Sequence, residues 1–314
     1  MLSRTADHLY WMARYTERAE NLARLLDVTY RMSLLSGGDR FQEPGWASVL
    51  VIMGLDEDYR EKHVEVTSHG VMGYFGFDQD NPSSIFSCLK SARENAHAVR
   101  GTLTSELWET LNDTWLKLRD TSPAVLSGSG AGQFFDWVKY RSHLSRGVTL
   151  GTMLQDESLW FTRLGTYLER ADSTARIFDA QASPLLDDVG AWESAGDYYQ
   201  WSALLRSVSA FEVYRRVYHD RITPRRVAEL IVLREDMPRS LHKCLNEVTE
   251  LLSLVCNRNS GETERRAGLM LATLHFGQVE ELFSGGVHNF LLDFVGRTSE
   301  LSERIANDFL IPKH

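Results

Sequence analysis

Residues 15–27 read YTERAENLARLLD, and residues 167–179 read YLERADSTARIFD. Seven of the thirteen aligned positions are identical. They include a Glu-Arg pair, which the two copies hold at Glu17-Arg18 and Glu169-Arg170. A recurring segment of this length indicates an internal duplication.

The correspondence continues in two further blocks that keep the same order along the chain. The second block pairs Trp46, Leu50, Glu57, Tyr59 and Arg60 with Trp201, Leu205, Glu212, Tyr214 and Arg215, and the third pairs Thr67, Val71, Asp80, Pro82, Ser84, Cys88 and Leu89 with Thr223, Val227, Asp236, Pro238, Ser240, Cys244 and Leu245. The offsets of 152, 155 and 156 residues predict a tandem duplication, with repeat one at about 1–155 and repeat two at about 156–314. Because no long linker separates the repeats, we expect them to pack together as a single domain over residues 1–314 and to unfold in one transition.

Helical patterns fill both repeats. The run from Ser3 to Leu35 contains neither Pro nor Gly and predicts one long helix that ends at Gly37-Gly38. Further predicted helices lie at about 45–62, 67–77, 82–100, 105–120, 133–155, 157–182, 200–219, 224–234, 238–256, 262–283 and 287–310. Alternating strand patterns are absent, so the predicted fold class is all-α, a helical bundle made of two tandem repeats related by a pseudo-two-fold axis.

Capping signals in one repeat clarify those in the other. Thr223-Pro224 is a strong helix start, because a capping hydroxyl precedes a proline at the first helical position. Its counterpart Thr67 is therefore expected to start a helix too. The Asp-x-Pro-x-Ser element of each repeat, at 80–84 and 236–240, predicts a tight corner between helices.

Composition excludes several classes of function. A net charge of −9 and a pI near 5.6 give no basic surface field, so nucleic acid is not expected as a partner. The longest apolar stretch, at 49–53, is far too short to cross a bilayer, which predicts no membrane association and a cytoplasmic location. Cys88, Cys244 and Cys256 are too few for a disulfide framework, and we expect all three to be reduced and packed.

The Glu-Arg pair has an unusual position on the helical wheel. Arg18 falls in the apolar arc of its helix, and Arg170 falls in the corresponding arc of the second. The first apolar arc comprises Trp11, Tyr15, Ala19, Leu22, Leu25 and Leu26, the second comprises Leu164, Tyr167, Ile177 and Phe178, and Glu17, Glu20, Arg24 and Asp27 lie opposite the first. Because an unpaired buried charge is very costly, both guanidinium groups are expected to be paired.

Two interpretations of this pair stay open on the sequence. In the structural one, which we favour, Arg18 and Arg170 clamp the crossing of helices by binding Glu17 or Glu169 and carbonyl groups at helix ends. In the functional one, the four residues line a cleft that binds an anionic group. Secondary candidates are Tyr15, Arg24, Asp27, Tyr167, Arg176 and Asp179, whose charged members fit a solvated face of ion pairs as well as a binding surface.

Metal, cofactor and nucleophile signals are weak. A di-iron bundle needs two Glu-x-x-His elements, but Glu94-x-x-His97 is matched in the second repeat by Glu250 and Ser253. The ten histidines are scattered, and the Gly-rich run at 128–132 is not followed by Lys-Ser or Lys-Thr. We therefore predict no metal and no cofactor, and no catalytic set is recognisable.

The stretches LSRTADHLYWMARYTERAENLARLLDV at 2–28, NPSSIFSCLKSARENAHAVRGTLTSELWETLN at 81–112 and RGVTLGTM at 146–153 resemble the Alpha-E family. The likeness runs from Leu2 to about Leu310, and the two Glu-Arg pairs match the pair that defines the family. This resemblance implies a bacterial, all-helical protein that is encoded beside, or fused to, circularly permuted ATP-grasp amide ligases, often near transglutaminase-like proteins. These gene neighbours imply a peptide-tagging or peptide-modification system.

Two hypotheses of function follow. The first is an accessory protein that docks an ATP-grasp ligase or presents its peptide or amino-acid substrate. The alternative is an enzyme that uses Glu as a general base and Arg as a carboxylate anchor in a cleft between the repeats. Solvent access to Glu17 and Glu169 distinguishes the two hypotheses, because accessible glutamates favour the enzyme and sealed ones count against it. We also predict that the two Glu-Arg helices lie side by side, with Arg18 paired to Glu169 and Arg170 to Glu17.

Overall fold

The computed structural model describes residues 1–35, 42–128, 130–186 and 198–310, and within these ranges it contains helices and no strand. The α-helices are α1 Ser3–Leu35, α2 Gln42–Met53, α3 Asp56–Lys62, α4 Ser68–Gly76, α5 Ile85–Ala98, α6 Ser105–Arg119, α7 Gly130–Thr152, α8 Glu157–Leu186, α9 Tyr198–Ser207, α10 Phe211–Tyr218, α11 Pro224–Ala228, α12 Leu241–Val255, α13 Gly261–Phe276, α14 Val279–Leu282 and α15 Val287–Phe309. A 3-10 turn at Pro123–Leu126 precedes α7, and a π-helical turn at Glu229–Leu233 continues α11. The all-helical fold class is thereby confirmed.

The chain divides into two compact units, Met1–Thr166 and Tyr167–His314, and the division falls inside α8. In the first unit α1 is the central helix, since it packs against α5 along one side and against α7 along another. The first turns of α8 also approach α1 closely. A Cβ atom added to Gly165 would lie 2.3 Å from the carbonyl oxygen of Tyr10, so glycine is required at this approach. Helix α1 is therefore covered on more than one face.

The second unit packs mainly through α12, which lies against α13 and against the π-helical turn. Helix α13 in turn contacts α15. Buried side chains of α12 supply much of the core of this unit: Leu241, Cys244, Leu245, Val248, Leu251 and Leu252. Their spacing of three and four residues is that of an amphipathic helix buried along one face.

The predicted helix starts agree with the observed ones, although the Thr223 hydroxyl, expected to cap α11, makes no capping hydrogen bond. Thr67 precedes α4, and its hydroxyl accepts a hydrogen bond from the Gly70 backbone N–H at 3.1 Å. Ser84 caps α5 and Ser240 caps α12, each accepting from the backbone N–H three residues later. The corners are therefore as expected, but the helices begin after the serine and not at Pro82 or Pro238.

Several predicted helices are broken. The helix expected at 45–62 is interrupted at Gly54, which adopts a φ of +66° between α2 and α3. The helix expected at 200–219 breaks at Ser209, whose φ is 56°. The helix expected at 262–283 ends at Phe276 and resumes as the short α14. The bounds Ser3–Leu35 are confirmed, and the expected stop at Gly37-Gly38 lies outside the described residues.

Matched positions of the two sequence repeats have matched environments within their own units. Trp46 and Trp201 are buried, and so are Tyr59 and Tyr214. The phenol groups donate to nearby backbone carbonyls, Tyr59 to Glu65 at 3.3 Å and Tyr214 to Arg221 at 2.9 Å. Tyr59 and Tyr214 therefore have the same structural role: each fixes an aromatic ring beside a short helix.

The cysteine prediction is correct for two of the three residues. Cys88 and Cys244 are free and fully buried, as expected for small core residues. Cys256 is free but exposed, so the expectation that it packs in the core is wrong. Cys256 directly follows the last residue of α12, Val255, and so lies at the end of the helix and not within its buried face.

None of the helices in the described ranges combines the length and the apolar character that a membrane crossing requires.

Candidate functional site

The faces of α1 differ from the helical-wheel prediction. Glu17, Glu20 and Asp27 were placed opposite the apolar arc, yet their side chains are buried. Arg18, placed inside that arc, is only half-buried. The physical reason is that α7 packs along the charged side of α1, while a wheel drawn for one helix assumes that this side faces water. The solvated-face interpretation is therefore wrong for Glu20 and Asp27.

A cluster of charges joins α1 to α7, and we call Glu17, Glu20, Arg24, Ser142 and Arg146 the α1–α7 charge cluster. The Arg146 guanidinium donates to Glu17 Oε2 at 2.9 Å and also to Glu20 Oε2. Glu20 accepts from Arg24 Nη2 at 2.7 Å on its other oxygen and from the Ser142 hydroxyl at 2.8 Å. The two carboxylates and the two guanidinium groups thus balance in charge.

Burial within the α1–α7 charge cluster is uneven. The side chains of Glu17 and Glu20 are 1% and 0% exposed, while that of Arg146 is 29% exposed. Water therefore reaches the guanidinium of Arg146 but not the carboxylates. Hydrogen bonds between charged groups are stronger than neutral ones, and breaking one side of a buried pair is costly.

A second ionic contact lies two turns further along α1. Lys139 of α7 binds Asp27 at 2.7 Å and Asp136 at 2.7 Å. Arg31 binds the other oxygen of Asp27 at 2.8 Å, and this hydrogen bond raises the pKa of Arg31. The contact fixes α1 against α7 near the carboxyl end of α1, and it makes Asp27 part of an interior network.

The arginines on the other side of α1 contact aromatic rings. The Arg18 guanidinium lies 5.8 Å from the centre of the Tyr15 ring. Arg14 lies 5.0 Å from the Trp11 ring and donates to the Tyr10 hydroxyl at 3.2 Å. These distances are typical of cation–π contacts, which stabilise a guanidinium group. Tyr15 and Arg18, one turn apart on α1, thus contact each other directly.

In the equivalent pair of the second unit, the arginine as well as the glutamate is buried. Glu169 is 3% exposed and Arg170 is 5% exposed. The Arg170 guanidinium donates to the Pro238 carbonyl at 3.4 Å, in the corner before α12, and lies 5.2 Å from the Tyr167 ring. This carbonyl contact is the kind expected of a structural clamp. Nearby, a hydrogen bond to Glu247 raises the pKa of Lys243.

The secondary candidates of the second unit form shorter-range contacts. Arg176 binds Asp172 at 2.9 Å, the same four-residue spacing as Arg24 with Glu20, but both side chains are partly exposed. Asp179 accepts a hydrogen bond from the His288 ring of α15 at 2.9 Å. Asp27 is bound in the same way by Lys139 of α7. The recurring pattern is an aspartate near the end of the Glu-Arg helix that binds a later long helix.

The Alpha-E family, described as a predicted alpha-helical domain with a conserved ER motif, matches residues 1–310. The chain belongs to the Alpha-E family. Glu17-Arg18 and Glu169-Arg170 are Glu-Arg pairs of the kind that the family description names.

Curated relatives of this Alpha-E chain include uncharacterised proteins of Mycobacterium tuberculosis, strains H37Rv and CDC 1551, and of Mycobacterium bovis. Each is 26% identical over 303 residues, which cover 89% of this chain and 33% of the relative. The Alpha-E chain thus spans about a third of the length of the curated relatives it matches. No solved structure is significantly similar to it.

Sequence reasoning missed the α7 side of the site. Arg146 and Ser142 supply the contacts to Glu17 and Glu20, but neither was a candidate, because the search for partners stayed on the Glu-Arg helices. A signal was present: Arg146 is the first residue of the segment RGVTLGTM, which carried part of the family resemblance. A charged residue that opens such a segment was a reasonable partner for the buried carboxylates.

Proposed function

We propose that this Alpha-E chain is an accessory helical protein of a peptide-modification or peptide-tagging system. It acts with an ATP-grasp amide ligase, either by docking the ligase or by presenting its peptide or amino-acid substrate. The observation that carries the proposal is the burial of both motif carboxylates, with Glu17 and Glu169 exposed by 1% and 3%.

A general base must reach the proton that it removes, directly or through one water molecule. Glu17 is sealed beneath Arg146, and the oxygens of Glu20 are bound by Arg24, Ser142 and Arg146. These contacts support a structural task for the α1–α7 charge cluster, which fixes how α1 crosses α7. They count against the enzyme hypothesis, which needs an accessible carboxylate in a cleft.

The lengths of the curated relatives also support an accessory task. In those proteins, the matching region of 303 residues accounts for 33% of the chain, so two thirds of each relative lies outside it. A domain that is joined to twice its own length of other sequence is suited to work beside another domain. We infer that the partner of the Alpha-E chain studied here is a separate or fused ligase of the ATP-grasp type.

The first experiment is calorimetric titration of the full chain into the ATP-grasp ligase of the same genome, together with co-purification of the two proteins. Binding to a saturable site is expected. If both proteins are folded and neither a heat of binding nor co-purification is detected, the proposal is refuted.

A matched pair of variants separates the accessory hypothesis from the enzyme hypothesis. Glu17→Gln keeps the shape and one acceptor for Arg146 but removes the charge, whereas Glu262→Gln changes an exposed carboxylate in the second unit. The accessory hypothesis predicts that both variants bind the ligase like the natural chain wherever thermal unfolding shows an intact fold. Selective loss of product formation in folded Glu17→Gln, with ligase binding unchanged, would favour the enzyme hypothesis instead.

A further inference from the structure

Three side chains of the second unit lie close together, although no motif connects them in the sequence. Glu235 lies between the π-helical turn and α12, His242 lies in the first turn of α12, and His275 lies in the last turn of α13. One ligand atom from each lies within 4.8 Å of the other two. Among the described residues, this is the group of His, Cys, Asp and Glu side chains that could hold a metal ion.

The distances between the ligand atoms fit a first-row metal ion. His242 Nε2 and His275 Nδ1 are 3.3 Å apart, and His275 Nδ1 is 3.3 Å from Glu235 Oε1. Two ligand atoms of a tetrahedral zinc ion are about 3.3 Å apart, given zinc–nitrogen distances of about 2.0 Å. The remaining distance, from Glu235 Oε1 to His242 Nε2, is 3.9 Å. The Glu235 side chain is 68% exposed, so a small rotation closes this gap.

The protein holds two of the ligands on a rigid support. Helices α12 and α13 pack directly against each other, which sets the relative position of the two imidazole rings. His242 is 4% exposed, and its Nε2 atom faces the cluster. The two facing nitrogens form a hydrogen bond at 3.3 Å, and a cation bound between them would replace that hydrogen bond and satisfy both.

The nearest basic side chain is paired with a carboxylate. Lys243 follows His242 in the chain, but its Nζ binds Glu247 at 2.8 Å, so its charge is compensated. The nearby Arg234 likewise binds Asp236. Glu235 thus remains the acidic side chain that contacts the two rings.

We propose that Glu235, His242 and His275 form a divalent metal site for Zn²⁺, with two imidazole ligands, one carboxylate and an open fourth position. Two nitrogen ligands with one carboxylate are a set that zinc accepts in proteins, and the open position is taken by water or by an anionic ligand. The site lies in the second unit and goes beyond the proposed accessory function. The proposal departs from the expectation, drawn from the scattered spacing of histidines, that the chain has no metal site.

The test is calorimetric titration of the metal-free full chain with ZnCl₂, repeated with Co²⁺ to read the coordination from its visible spectrum. About one equivalent of Zn²⁺ per chain is expected, with a dissociation constant in the micromolar range. The affinity should be modest because, within the described residues, His242 Nδ1 has no hydrogen-bond partner, and such outer partners change metal affinity about 10- to 100-fold. Zn²⁺ should also raise the unfolding temperature, by an amount that grows with the logarithm of its concentration above the dissociation constant.

Variants of the exposed ligands keep the test interpretable, because they do not disturb the core. His275→Gln and Glu235→Gln should each weaken Zn²⁺ binding about tenfold or more at an unchanged unfolding temperature of the metal-free protein. His69→Gln, which changes an exposed histidine of the first unit, should bind as the natural chain does. Cys256→Ser should also leave binding intact, which excludes the exposed thiol as the ligand.

Two results would overturn the proposal. One is the absence of saturable binding by the natural chain. The other is binding that is equally tight in His275→Gln and in His69→Gln. Either result would mean that the three side chains are joined only by a contact between imidazole rings and an ion pair with Glu235.

Discussion

Replacing Arg146 by methionine tests the α1–α7 charge cluster most severely. Methionine fills a similar length but removes both hydrogen bonds that the guanidinium gives to Glu17 and Glu20. Glu17 would then be a buried carboxylate without this cation, while Glu20 keeps Arg24 and Ser142. Both carboxylates therefore lose a hydrogen bond from a cation.

The expected loss follows from burial. Removing one partner of a buried ion pair costs about 3 to 5 kcal/mol. Arg146 is 29% exposed, so water compensates part of the loss, and we expect a value near the lower end, about 3 kcal/mol. At about 2 to 4 °C per kcal/mol for a unit of about 150 to 250 residues, the unfolding temperature should fall by about 6 to 12 °C.

The assay is chemical unfolding by urea, followed by circular dichroism, with thermal unfolding as a second readout. The matched control is Arg265→Met, because Arg265 binds the exposed Glu262 at 2.7 Å and such a pair contributes about 1 kcal/mol or less. The Arg146→Met and Glu17→Gln double variant should recover part of the loss, since a neutral amide is less costly to bury. Equal stabilities for Arg146→Met and Arg265→Met would refute the reasoning.

Four further predictions are open to direct measurement. A thiol reagent should label Cys256 rapidly in the folded protein and the other two cysteines only on unfolding, and rapid labelling of all three would contradict their burial. The pKa of Glu262 should lie at about 2, because Arg265 and Arg266 hydrogen-bond to its carboxylate. The small stabilisation from this carboxylate is therefore present above its ordinary pKa and is lost as the pH falls through about 2. An NMR titration midpoint at the ordinary value would contradict this. Calorimetry should show one unfolding transition, and two resolved peaks would mean independent units. A double-mutant cycle should detect coupling between Arg18 and Glu169, whereas a coupling near zero would mean that their helices do not meet as predicted.

The strongest local signals of the sequence predicted the structure well. The absence of Pro and Gly between Ser3 and Leu35 gave the bounds of α1, and the duplication located the cap at Thr67 from the clearer signal at Thr223. These features depend on neighbouring residues only, which is why a sequence is sufficient for them. The breaks at Gly54 and Ser209 depend on the packing of short helices, and the helical pattern does not reveal them.

The charged residues were harder to place, because their environment depends on a distant helix. The wheel correctly grouped Glu17, Glu20 and Asp27, but the solvent that it assumed on their side is replaced by α7. Arg146 lies more than a hundred residues away from Glu17 in the chain. Similarly, His242 and His275 are separated by a helix and a turn, so no short spacing motif indicated that they meet.

The proposed accessory role is tested by the rate of the ATP-grasp ligase, measured as ADP release with its peptide or amino-acid acceptor. Adding the natural chain should raise the rate to a plateau as the complex saturates, and folded Glu17→Gln should reach the same plateau. A ligase rate that is unchanged by the natural chain at every concentration, with the ligase active and the chain folded, would contradict the claim that this Alpha-E protein is its accessory partner.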